Sequence, residues 1–123
     1  MKDIKLQFYP RHVYITTDIE ELNRHVEERL DENTSYGYTA PYVDFHREFN
    51  LGVIIFINLK AEENKTSYGL AQGIAHECLH AVNMIFLELG IKYNTEYDEH
   101  AAYLLGFLVS ECHKYISSIV KNS

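Results

Sequence analysis

The chain contains no tryptophan, two prolines, two cysteines and six glycines in 123 residues. With so little proline and glycine, no low-complexity tract or Pro/Ser linker is found. Two cysteines are too few for a disulfide scaffold, and Cys78 and Cys112 both fall in helical patterns. They read as reduced, buried thiols. Long apolar runs are missing too. The longest, residues 51–59, is broken by Gly52 and Asn58. It falls far short of the roughly 20 residues that cross a bilayer. The first residues, Met-Lys-Asp-Ile-Lys-Leu-Gln, hold no secretory apolar core. A cytoplasmic protein with no membrane partner is therefore expected. Positive charge is scarce as well. Eleven Lys+Arg face eighteen Asp+Glu, for a net charge of −7. That argues against nucleic-acid binding, which needs basic surface. It still allows an acidic surface that competes for a basic partner.

What is present is ordinary globular material, 46% hydrophobic and 24% charged. No internal repeat or linker divides it, so one domain over residues 1–123 is expected. The β-rich stretch around Val13, Tyr14 and Ile15 predicts a strand over 12–16. Thr17, with Glu20 three residues on, reads as a capping box. Ile19, Leu22, Val26 and Leu30 then predict a helix over 18–31. Residues 32–41, with Gly37 and Pro41, read as loop. Strands are expected over 42–45 and 52–59, with Glu48-Phe49-Asn50 as a hairpin connection. The second is apolar on both faces and suits a central position. A polar loop over 60–66 leads to a helix from Ser67 to Leu89, stopped by Gly90. A last helix is expected from a Thr95 cap to Lys121. The order β–α–β–β–α–α implies an α+β fold, a short sheet packed on two long helices.

The first long helix carries His76-Glu77-Cys78-Leu79-His80, an HExxH pentapeptide. Four residues make about one turn of 3.6, so both imidazoles project from one face and can grip one metal ion. Glu77 lies about 100° around the axis, within reach of water beside the metal but poorly placed as a ligand. Zinc and a neighbouring carboxylate together suit hydrolysis. Ile74, Cys78, Ala81, Val82, Ile85 and Leu89 form an apolar stripe, and His76 and His80 lie opposite it. The plainer reading is a pair of surface histidines on an amphipathic helix. Gly73, one turn before His76, costs about 1 kcal/mol of helix propensity relative to Ala. Close approach of another segment would account for it.

A zinc site needs a third protein ligand. Glu88, Glu96, Asp98, Glu99, His100, Glu111 and His113 all lie downstream. Glu96 and Asp98 are also explained by a helix start, where carboxylates favour the dipole. Glu99 shares its face with Ala102, Tyr103, Gly106 and Ser110, small residues and one phenol that suit packing on another helix. An exposed carboxylate is the plainer alternative.

Residues 53–59, the HExxH helix and Glu99-His100-Ala101-Ala102-Tyr103 resemble the core of zincin metallopeptidases. They are most similar to gluzincins, and within them to compact ImmA/IrrE-like peptidases and small phage or prophage metallopeptidase-like proteins. The resemblance covers about half the chain, residues 52–109. It implies that His76, His80 and Glu99 bind Zn2+ and that Glu77 is the general base for hydrolysis of a peptide or protein substrate. It also implies a sheet edge that pairs with extended substrate, a place that residues 53–59 could fill unless they are internal. The chain departs from the pattern in four respects, one being that the aminopeptidase-type extended motifs are absent. Ala81-Val82-Asn83 follows His80 where metzincins continue differently, there is no sizeable second lobe, and no oxyanion stabiliser is fixed by spacing. Tyr93, Tyr97, Tyr103 and His46 are candidates for that last role. A non-catalytic zincin-like module, docking a host protein as a phage or prophage accessory, is the alternative function.

Overall fold

A computed structural model describes residues 1–31, 35–45 and 52–121. Its elements are β1 (Lys2–Lys5), β2 (His12–Thr16), α1 (Ile19–Asn23), β3 (Gly37–Tyr42), β4 (Gly52–Ile57), a 3-10 turn (Glu62–Lys65), α2 (Ser67–Leu89) and α3 (Glu99–Lys121). The sheet order is β1-β2-β4-β3. β1 runs antiparallel to β2, β2 parallel to β4, and β3 antiparallel to β4. Among the described residues this is a mixed α/β fold of four strands and three helices.

β4 is the centre of the molecule, and all six of its residues are buried. Alternation explains its two-sided apolarity. Val53, Ile55 and Ile57 join Val13 and Ile15 in a cluster with Ile74, Cys78, Val82 and Ile85 of α2 and Leu104, Leu108 and Cys112 of α3. Ile54 and Phe56 turn the other way, onto Tyr14, Leu22, Val26, Ala40 and Tyr42. The central position foreseen for this strand is observed, and it rules out residues 53–59 as a substrate-pairing edge. Among the described residues β3 is the outermost strand on that side.

α2 matches expectation at both ends. Thr66 Oγ1 accepts from the Gly69 N–H at 3.1 Å. Gly90 closes the helix with a φ of 70°, a left-handed value that glycine adopts without steric penalty.

Elsewhere the structure departs from expectation. β1 has only Ile4 buried, which leaves no alternation to read from sequence. α1 stops at Asn23, well short of residue 31, and Asp18 caps it in place of Thr17, accepting from the Glu20 N–H at 3.0 Å. The Asn23 side chain holds both the N–H (2.8 Å) and the carbonyl (3.0 Å) of Leu30. Such side-chain bonds offer the backbone an alternative to helix. Val26 is still buried, but from an irregular segment.

β3 occupies residues foreseen as loop, and the expected strand at 42–45 ends at Tyr42. Pro41 is tolerated because, among the described strands, β3 has a neighbour, β4, on one side only. Tyr42 is fixed by ring stacking on Tyr14 at 3.8 Å and on His25 at 4.6 Å. The Glu48-Phe49-Asn50 connection lies outside the described residues. α3 begins at Glu99 because Asn94 takes the Glu96 N–H on its side chain and the Tyr97 N–H on its carbonyl, turning the chain before helix can start.

Cys78 and Cys112 are free and buried, their sulfurs 3.6 Å apart between α2 and α3. The contact with Cys112, together with burial, pushes the Cys78 thiol well above its ordinary value. No helix among the described residues is long and apolar enough to cross a membrane.

Two outcomes follow. Asp18→Ala should lower stability by about 1 kcal/mol, the usual cost of a lost cap, and Thr17→Ala by distinctly less, as read by urea unfolding. Above the ordinary thiol value of 9.0 the unfolded chain ionises at Cys78 while the native thiol stays neutral. Stability should therefore be whole below that pH and fall above it, with a slope approaching about 1.4 kcal/mol per pH unit. Cys78→Ala should flatten that slope.

Candidate metal centre

α2 separates its residues by face. Ile74, Cys78, Ala81, Val82 and Ile85 are fully buried in the core. His76 and His80 lie on the exposed side, as their register predicts. Their Nε2 atoms converge to 3.2 Å. Two nitrogens bound to one tetrahedral zinc, at about 2.0–2.1 Å each, would stand about 3.3 Å apart. The pair thus fits two ligand positions. It equally allows a single N–H···N hydrogen bond between the rings.

Glu77 lies between the two faces. Its side chain is only 5% exposed against 50% for His76, and its Oε2 is 3.9 Å from His76 Nε2. A buried carboxylate needs hydrogen-bond partners, and β3 supplies one. Gly37 and Thr39 point toward α2, while Tyr38, Ala40 and Tyr42 point to the opposite cluster. The Thr39 hydroxyl lies 2.7 Å from Glu77 Oε1 and 3.1 Å from the Glu77 carbonyl. At Gly37 a Cβ would stand 2.9 Å from Glu77 Cγ and 3.1 Å from Oε2, closer than side chains pack.

A second close approach explains Gly73. A Cβ there would sit 3.1 Å from Asn64 Oδ1 and 3.5 Å from the Tyr36 ring. Asn64 Nδ2 donates to the carbonyls of Tyr36 and Asn58, both at 2.8 Å. This strap holds Tyr36 edge-on against His76, ring centroids 5.7 Å apart.

The third ligand is a different matter. Glu99 opens α3 and is exposed, as are Glu96, Asp98 and His100. Glu88 pairs with Arg11 at 3.0 Å, and Glu111 with Lys114 at 3.7 Å. Among the described residues no group of three or more His, Cys, Asp or Glu side chains is placed to hold a metal ion. Of the four residues foreseen for the site, three come together: His76, Glu77 and His80. Tyr93, Tyr97 and Tyr103 are exposed, and His46 lies outside the described residues. Gly37, Thr39 and Tyr36 escape sequence reasoning. The alternation of Tyr36, Tyr38, Ala40 and Tyr42 was the available signal for a strand there, masked by Gly37 and Pro41.

Compared with protein-family models, curated proteins and solved structures, the chain has no match.

Gly37→Ala should displace the Glu77 side chain and destabilise the fold by about 1–3 kcal/mol, the usual cost of overpacking. Urea unfolding and a crystal structure of the variant measure the two effects.

Proposed function

We propose that the chain is a small zincin-like domain acting as a zinc-dependent metallopeptidase, with His76 and His80 as zinc ligands and Glu77 as general base. The observation that carries this reading is the convergence of the two imidazoles at 3.2 Å beside a buried carboxylate 3.9 Å from one of them. Glu99 is proposed as third ligand on the resemblance to gluzincins alone. Zinc, when bound, lowers the pKa of its water and polarises a peptide carbonyl. Glu77 accepts a proton from the attacking water and passes it to the leaving amine. The substrate is a peptide or protein segment. An extended one would pair with the outer edge of β3, beside Thr39 and Glu77, where backbone hydrogen bonds supply affinity. Free, buried cysteines fit a reducing, cytoplasmic setting.

One observation favours a second reading. With no third ligand grouped beside the histidines among the described residues, the domain would serve as a non-catalytic, zincin-like module that docks a protein partner.

Metal analysis after zinc reconstitution and dialysis tests the zinc ligands, and Glu77→Gln separates the readings. The peptidase should retain about one zinc per chain, and His76→Ala or His80→Ala should lose it. Glu77→Gln should keep the metal but lower peptide hydrolysis by about 10²–10⁴-fold, the contribution of a general base. Glu99→Ala and Glu96→Ala, made separately, should weaken zinc binding only at the true ligand. A wild-type protein that holds no zinc would sink the proposal.

A further inference from the structure

We infer that Thr39 is a positioning residue that sets the orientation of the Glu77 carboxylate, anchoring Oε1 so that Oε2 faces His76; its catalytic consequence rests on the reading of Glu77 as general base. The hydroxyl has a single proton and two acceptors in range, Oε1 at 2.7 Å and the Glu77 carbonyl at 3.1 Å. The shorter contact, to Oε1, is the better hydrogen bond by distance. With Oε1 tied to β3, rotation of the carboxylate would break that bond inside a buried site. Gly37, on the same face of the strand, leaves the space that Cγ and Oε2 occupy. One strand thus holds one carboxylate oxygen and makes room for the other. The remaining oxygen is the one 3.9 Å from His76 Nε2.

Thr39 is 7% exposed in a sheet whose other buried residues are almost all apolar. Valine matches threonine in shape and would fill the position without a hydroxyl to satisfy. The hydroxyl therefore acts through its partner, Glu77.

The test compares metal-free crystal structures of the wild type, Thr39→Val and Thr39→Ser, with kcat, KM and zinc content measured in parallel. Thr39→Val should leave zinc content and KM unchanged. The Glu77 carboxylate should turn from its wild-type orientation, and kcat should fall about ten- to hundredfold, the loss of one hydrogen bond to a charged group. Thr39→Ser should restore both the orientation and the rate. If Thr39→Val does not fold, Thr39→Ala, which adds no bulk on an outermost strand, is read by the same criteria. An unchanged Glu77 orientation in the variant lacking the hydroxyl overturns the inference, whatever the activity. If the wild type hydrolyses nothing while the carboxylate turns only when the hydroxyl is removed, the positioning role stands and the peptidase reading falls.

Discussion

A carboxylate enclosed between a helix and a sheet is costly unless something bonds to it. Glu77 is in that situation, and the architecture around it follows from the requirement. α2 must press one flank against the sheet to bury the side chain. The strand it meets must offer a hydroxyl at one position and no side chain two residues earlier. β3 does so with Thr39 and Gly37. The same flank contact leaves His76 and His80 on the open side of α2, adjacent to the carboxylate but outside the core.

The sheet provides the rigidity that this contact needs. β4 is buried on both faces, and its two sets of alternate side chains join separate clusters. α2 and α3 cover one face, and α1 with the segment after it covers the other. β3 is held by β4 along one side and by the stacked Tyr14, Tyr42 and His25 rings behind it. An outermost strand secured in this way can carry a polar residue inward without losing register.

Long, strongly periodic elements were legible in the sequence. The C-terminal limit of α2 follows from Gly90 acting as a local stop signal, and its buried stripe follows from 3.6-residue spacing. The placement of His76 and His80 opposite that stripe needs no tertiary information. Short elements were less legible. The run containing Val26 and Leu30 has helical spacing, yet Asn23 captures the Leu30 backbone and ends α1 early. Thr95 sits where a cap would sit, but Asn94 turns the chain first. In both places a single amide side chain outcompetes a weak helical preference.

What the sequence determined by itself is therefore the amphipathic helix, the shared face of the two imidazoles and the two-sided apolarity of the central strand. Each of these depends on spacing along one continuous segment. Only the tertiary structure decided that residues 37–42 form the outermost strand, that Thr39 and Gly37 surround the Glu77 carboxylate, and that Tyr36 rests on His76. Those contacts join residues nearly 40 positions apart, and whether they form depends on which strand lands beside α2, which no local pattern encodes.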